Sequence, residues 1–376
     1  MLTSQQLKTK QQNEFHPTYR TFMNMIAQNI ERCDTSYYSN KIESLKDIFG
    51  TEDIVLEKQN IIVNGHSYPV IDDVIILLDP SQYPPSVSRL LNSSPNTSKK
   101  ITTDFSEDIQ FTFGAEWLTY PDIMPEHEDE FALYFDLINI SDLKGMRVCD
   151  LGCGIGRWSH FLKDKCRELI LLDFSEAIFA ARKNLKESEN AIFFMGDIKR
   201  LPFRKSFADF LFCIGVLHHL PVNALKEVKA LKKYAPTILI YLYYALDNRP
   251  AYFRLLLNVI TFIRKVVSRI KTPSFRNSFS SFTAWTVYLP LVYLGKVVKP
   301  FGLSRFIPIY EAYNGKRVHR IKQDVYDRFF TSIEQRFTRK QILELNKEFD
   351  KVTVSDHLPY WHFKCETYPS SHNNQS

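Results

Sequence analysis

The sequence predicts an α/β protein built on a mostly parallel sheet with helices on both faces. Three observations carry that prediction. Apolar runs of about five residues alternate with helical stretches from residue 146 onward, an acid closes three successive runs, and a glycine-rich turn follows the first. Runs that are apolar at every position suit strands buried on both sides.

Composition sets the outer limits. A chain of 376 residues is long for one minimal domain, and 44% hydrophobic with 24% charged residues is ordinary for a globular protein. The 29 Phe and 19 Tyr call for a large aromatic cavity or an adhesive surface. Six cysteines occur with no CxxC pair, so neither a disulfide framework nor a metal site is expected, and a reducing cytoplasm fits. Residues 1–20 are polar and lack the apolar core of a secretory signal. The most apolar window, 284–298, is broken by Pro290 and Lys296 and is too short to span a membrane. The net charge of +6 is uneven: the stretch 246–327 is strongly basic, and the rest of the chain is acidic in balance.

Six segments follow in order. Residues 1–47 read as a polar helical segment. Residues 48–91 form a small β-rich region, with apolar runs at 54–56, 61–63, 68–71 and 74–78 and a hairpin signal at Asn64-Gly65. Residues 92–100 (NSSPNTSKK) read as a linker. The main sheet begins in segment 101–244, with strands expected at 146–151, 169–173, 191–195, 207–213 and 237–244. Helices are expected from Arg157 and over 176–187. Residues 245–335 are inserted, far more than a crossover needs. Residues 336–376 then return to the sheet with a helix over 338–349, opened by the capping box Thr338 to Gln341, and strands at 351–356 and 360–366.

The chemistry concentrates at one sheet edge. Asp150, Asp173 and Asp197 end successive strands, 23 and 24 residues apart, which is one strand–helix–strand unit each time. The first strand runs into Asp150-Leu151-Gly152-Cys153-Gly154-Ile155-Gly156. The glycines allow a sharp turn and close approach of backbone amides to a ligand, and a helix from Arg157 would turn its N-terminus to the same space. The third glycine comes one residue too early for a dinucleotide fingerprint, and no GxxxxGK[ST] loop exists. An acid two residues before the first glycine would repel a pyrophosphate but suits an ammonium group.

Residues 148–220 resemble the class I methyltransferases that use S-adenosylmethionine (SAM). Val148 to Gly156 is similar to that family's first motif, Leu171-Leu172-Asp173 to its second, and Gly196-Asp197-Ile198 to its adenine motif. Cys213-Ile214-Gly215-Val216-Leu217-His218-His219-Leu220 resembles the segment beside the methionine and substrate. The resemblance implies a Rossmann-like seven-stranded sheet in the order 3-2-1-4-5-7-6, with strand seven antiparallel. It also implies that Asp173 bonds the ribose hydroxyls, Phe174 flanks the adenine, Asp197 takes its exocyclic amine and Ile198 offers a backbone N–H. Asp150, Gly152, Cys153, Gly154, Gly156 and Cys213 would complete the SAM site. A fainter likeness to bacterial enzymes of glycan or lipid biosynthesis covers Phe113 to Tyr120 and 324–342, and it puts Trp117 and Tyr120 on the substrate side. Tyr68 to Ile75 is similar to the tail of a zinc-ribbon-like domain, without its cysteine pairs.

Methyl transfer is an in-line displacement, and a base is needed only if the acceptor loses a proton in the transition state. His219 and His218 are the candidates, His219 being preferred; the alternative is that one packs on a helix and the other bonds the backbone. No Asn/Asp-Pro-Pro-Tyr segment follows the fourth strand, which argues against nucleic-acid bases as acceptors. The expected acceptor is a small molecule, a lipid-linked intermediate or a glycan; RNA methylation and a non-catalytic scaffold are the alternatives. Within the insertion, 251–270 interleaves Phe253, Leu256, Leu257, Ile260, Ile263 and Val267 with Arg254, Arg264, Lys265 and Arg269. That pattern suits a lid helix buried on the core with snorkelling basic side chains, a helix lying on an anionic membrane, or RNA contact.

Overall fold

The computed structural model describes residues 35–91, 109–110, 114, 121–270, 272–331 and 333–368. Trp117, Tyr120 and the linker 92–100 lie outside them, as does most of the N-terminal segment.

Eleven strands form one sheet: β1 (Ile54–Leu56), β2 (Asn60–Val63), β3 (His66–Ile71), β4 (Val74–Ile76), β5 (Arg147–Leu151), β6 (Glu168–Asp173), β7 (Ala191–Met195), β8 (Phe210–Ile214), β9 (Thr237–Tyr241), β10 (Lys351–Val354) and β11 (His362–Glu366). Their spatial order is β1-β2-β3-β4-β7-β6-β5-β8-β9-β11-β10. The last seven follow the expected order, with β11 antiparallel to both β9 and β10. The expected count of seven is corrected to eleven, because β4 pairs in parallel with β7 (Val74 opposite Phe193) and carries the β1–β4 meander onto the sheet. The Asn64-Gly65 turn between β2 and β3 has positive φ at both residues, as a tight hairpin requires.

Alternation along the central strands supplies two cores. Cys149, Ile170, Ile192, Leu211 and Ile238 point to one face, and their neighbours Val148, Leu169, Phe193, Phe210 and Leu239 point to the other. Helix α1 (Ile42–Phe49) packs Leu45 and Ile48 on the first face and stops at Gly50 in the left-handed conformation. The other helices are α2 (Pro85–Leu90), α3 (Glu126–Tyr134), α4 (Ala177–Asn184) and α5 (Ala224–Leu231). They are followed by α6 (Ala251–Val267), α7 (Pro273–Thr283), α8 (Leu289–Val298), α9 (Tyr310–Tyr313), α10 (Val318–Phe330) and α11 (Arg339–Leu343). The capping box at Thr338 and Gln341 is formed, although α11 gives way to a 3-10 turn over Glu344–Lys347.

One expected helix is replaced. From Arg157 the chain makes turns and a single 3-10 turn, Ser159–Phe161. Arg157 to Arg167 is all that joins Gly156 to β6, and Trp158, Ser159 and Leu162 are drawn into the interior, which leaves no run for a regular helix.

The insertion builds its own core. Helix α10 lies against α6, α7 and the π-turn Ala284–Tyr288, and Tyr288, Val292, Tyr313, Ile321, Val325 and Phe330 fill the space between. The lid expectation for 251–270 needs correction. Phe253 is buried and Ile260 and Val267 pack inward, but Leu256 and Ile263 are exposed. Arg264 does not snorkel: it is buried, 3.5 Å from Glu334. Apolar residues surround too much of α6 for one face to bury them all.

Candidate functional site

The glycine loop is fixed from below by β6. The Gly152 and Cys153 amides both donate to the Leu172 carbonyl, at 2.7 and 3.0 Å. Gly152 has φ of 77°, and a Cβ there would collide with the Val216 side chain, so glycine is required on both counts. Beside the loop, the buried Asp173 carboxylate accepts hydrogen bonds from the Gly154 amide (2.9 Å), the Ser175 amide (2.8 Å) and the Ser175 hydroxyl (2.6 Å). Burial raises its pKa against the pull of those donors. At the end of β7, Asp197 caps the turn Ile198–Arg200 by accepting from the Lys199 amide at 3.0 Å.

Gly152, Cys153, Gly154, Asp173, Phe174, Asp197 and Ile198 all line one cavity at the carboxyl edge of the sheet, where α/β sheets bind ligands. Four expected site residues do not line it. Asp150 sits beneath the loop, only 1% exposed, and accepts from the Ser159 hydroxyl at 2.7 Å. Burial pushes its carboxyl up to about 8, so at neutral pH it is mostly protonated and presents no full charge to an ammonium group. Gly156 lies behind the loop, where a Cβ would come within 2.6 Å of Leu185. Cys213 is wholly buried inside β8. His218 is fully buried and stacks on Tyr243, with ring centroids 3.9 Å apart, and burial drives its pKa well down.

The same cavity continues past His219 toward the insertion. His219 Nδ1 lies 2.7 Å from the Ile333 carbonyl, which can only accept, so that nitrogen carries the proton in the neutral ring. Tyr134, Tyr241, Tyr243 and Tyr313 line this half, together with Glu130, Arg157, Lys316, Arg320 and Arg328. The charges are organised around Glu130 on α3. Lys316 reaches it at 2.7 Å, Arg320 at 3.2 Å and Arg157 at 3.8 Å. Burial pushes Glu130 up, but these three cations win and hold it ionised, well below the usual carboxylate range. Arg320 is also paired with Asp324. Glu130 thus ties the segment after β5 to the insertion across the cavity mouth.

Sequence reasoning missed this half of the wall. Tyr241 and Tyr243 could have been found, because they close the fifth predicted strand on alternate positions. Glu130 and Arg320 could not: each looks like an ordinary charge on a helix surface until the chain brings them together.

A second connection ties the segment after β8 to the end of the insertion. The Gln335 side-chain amide donates to the Leu220 and Val222 carbonyls at 2.9 and 2.7 Å, and the Gln335 backbone N–H donates to the His218 carbonyl at 2.9 Å. Phe337 and Tyr244 form a parallel bridge directly after.

Residues 148–234 match a family model described as a methyltransferase domain. That match covers the segment whose strand order is the one expected from the sequence resemblance. A search of curated proteins found no significant match. Among solved structures, a SAM-dependent methyltransferase from Aquifex aeolicus is similar at 21% identity, over 32% of this chain and 68% of that one, with a TM-score of 0.29. Magnesium protoporphyrin IX methyltransferase from Synechocystis, solved with bound S-adenosylhomocysteine, is similar at 22% identity over 36% and 62%, with a TM-score of 0.29. Phosphoethanolamine N-methyltransferase 1 from Haemonchus contortus is similar at 19% identity over 36% and 32%, with a TM-score of 0.32. The chain spans only part of such structures, for instance 59% of one from Bacillus halodurans.

Proposed function

We propose that the protein transfers a methyl group from SAM to an acceptor bound in the outer half of this cavity. The observation that carries the reading is the joint placement of Asp173, Asp197 and the Gly152–Gly154 loop on one wall, continuous with the space beside His219. The residues present fit SAM. Asp173 is poised to take the ribose hydroxyls, exchanging its bonds to Ser175 and Gly154. Phe174 and Ile198 offer an apolar slot for the adenine with Asp197 at its edge, and the loop amides would receive the methionyl end.

When bound, SAM supplies an electrophilic methyl carried on a sulfonium. The protein's own work is to hold the acceptor in line and keep water out. A proton on His219 Nδ1, held by the Ile333 carbonyl, puts the basic lone pair of the neutral ring on Nε2, the nitrogen that would take the acceptor's proton. His219 is therefore the proposed base; His218 supports it by packing on Tyr243.

Of the acceptor classes, a lipid-linked intermediate with a hydroxylated or anionic head suits the tyrosine and cation wall best, ahead of a free small molecule or a glycan. The corresponding location is the cytoplasmic side of a membrane. The test is incubation of the purified chain with methyl-labelled SAM and separated lipid, glycan, small-metabolite and RNA fractions of cells. Label is expected in the lipid fraction. Label in RNA alone would overturn the acceptor reading, and no transfer to any fraction would favour a scaffold. With the acceptor in hand, His219→Gln should lower kcat on the order of 10²-fold or more, with SAM affinity retained. An unchanged kcat would remove the base.

A further inference from the structure

The outer surface of the insertion departs from the rest of the molecule. Among the described residues, every exposed large apolar side chain except Val55, Leu133 and Tyr368 falls between residues 252 and 306. A globular surface scatters such residues singly, whereas a contiguous set marks a surface meant to be covered. Helix α6 shows how the set is arranged. Its inner side, with Ile260 and Val267, packs toward α10 and the insertion core. Leu255, Val259, Phe262 and Val266, spaced by four, three and four residues, form a second apolar stripe that faces outward, with Phe262 69% exposed. Arg254, Lys265 and Arg269 are also exposed and border that stripe along one side. From Trp285 within the π-turn, further outward apolar side chains follow at Tyr293, Val297 and Phe301, the last 75% exposed.

Charge identifies the occupant. No acidic residue occurs between Asp247 and Glu311, while Lys296, Lys299 and Arg305 stand exposed among the apolar positions. Apolar stripes edged by cations, with no acid in the segment, complement the headgroup layer of an anionic bilayer. An RNA would gain nothing from Leu255, Val259 or Val297. No helix among the described residues is long and apolar enough to cross a membrane, so the fit is to a helix lying in the surface plane.

We infer that the outward face of α6 and of the α7–α8 segment is a membrane-docking surface for anionic lipid. It places the tyrosine-lined half of the cavity, whose wall includes α9 and α10 of the same insertion, close to the headgroup layer. The inference stands without the methyl-transfer reading, because neither stripe touches the proposed SAM site.

Flotation of the full-length chain with vesicles tests it. Phosphatidylcholine vesicles are compared with vesicles containing about one third phosphatidylglycerol, at low and high salt. Binding to the anionic vesicles is expected, weakened several-fold by salt. A Phe262→Ser, Phe301→Ser double variant should bind at least tenfold more weakly while keeping its SAM affinity, and Lys265→Glu with Arg269→Glu should weaken binding mainly at low salt. Trp285 fluorescence should shift to the blue on binding and be quenched by brominated lipid. Failure of the wild-type chain to float with anionic vesicles at low salt overturns the inference. So does a stable dimer that the Phe262→Ser, Phe301→Ser pair dissociates while vesicle binding is absent, since a second copy would then be what covers the face.

Discussion

The central sheet and the insertion use their apolar side chains to opposite ends. In β5 to β8 every position is buried, and alternation sends those residues into two cores that leave nothing apolar for solvent. In the insertion, α6 packs one stripe inward and leaves another outward. The sheet spends its hydrophobicity on a rigid edge that holds three acids and a glycine loop in register. The insertion keeps part of its hydrophobicity for something outside the molecule. Folding alone accounts for the first pattern and not for the second.

The joint between the two regions gives the largest expected effect. Glu130 is the shared anion of Lys316, Arg320 and Arg157, and removing it leaves the buried Arg320 and the half-buried Arg157 and Lys316 facing one another. Glu130→Gln should cost roughly 3–5 kcal/mol in urea unfolding; a loss below about 1 kcal/mol would show that the insertion is not held to the core this way. A smaller effect, confined to the core, concerns pH. The Asp150 carboxyl is raised from 3.8 to about 8 by burial. The folded state therefore keeps a proton that the unfolded chain releases, and stability falls as pH rises from about 4 toward 8. Between pH 5.5 and 8 the ligand-free protein should lose on the order of 2–4 kcal/mol, and Asp150→Asn should flatten that decline. The same slope in the variant would assign the dependence elsewhere. The smallest effect belongs to the insertion's outer face. Phe262→Ser should change stability by no more than about 0.5 kcal/mol, in contrast to its effect on vesicle binding. A loss of several kcal/mol would mean that the side chain is covered by the protein itself.

Legibility in the sequence followed how local each interaction is. The strand over 191–195 and the capping box at Thr338 were readable because a bounded apolar run and a fixed local spacing define them. Asp173, Asp197 and the loop could be brought to one edge because each ends a strand of a parallel sheet. The pairing of β4 with β7 was not readable, since nothing in either strand marks a partner more than a hundred residues away. The burial of Asp150 is not readable, because its spacing says where it lies along the chain and not what covers it. The Glu130 cluster joins charges that look solvated singly, and the second apolar stripe of α6 is hidden in the sequence because one helical periodicity implies only one buried face.

The central claim is that the carboxyl edge of the sheet binds SAM, and isothermal titration of the purified full-length chain tests it most directly. A micromolar dissociation constant is expected, roughly −8 kcal/mol, with Asp173→Ala weakening binding by about 1.5–3 kcal/mol through lost charged hydrogen bonds. A folded wild-type chain with no measurable affinity for SAM, or one whose affinity Asp173→Ala leaves unchanged, would contradict it.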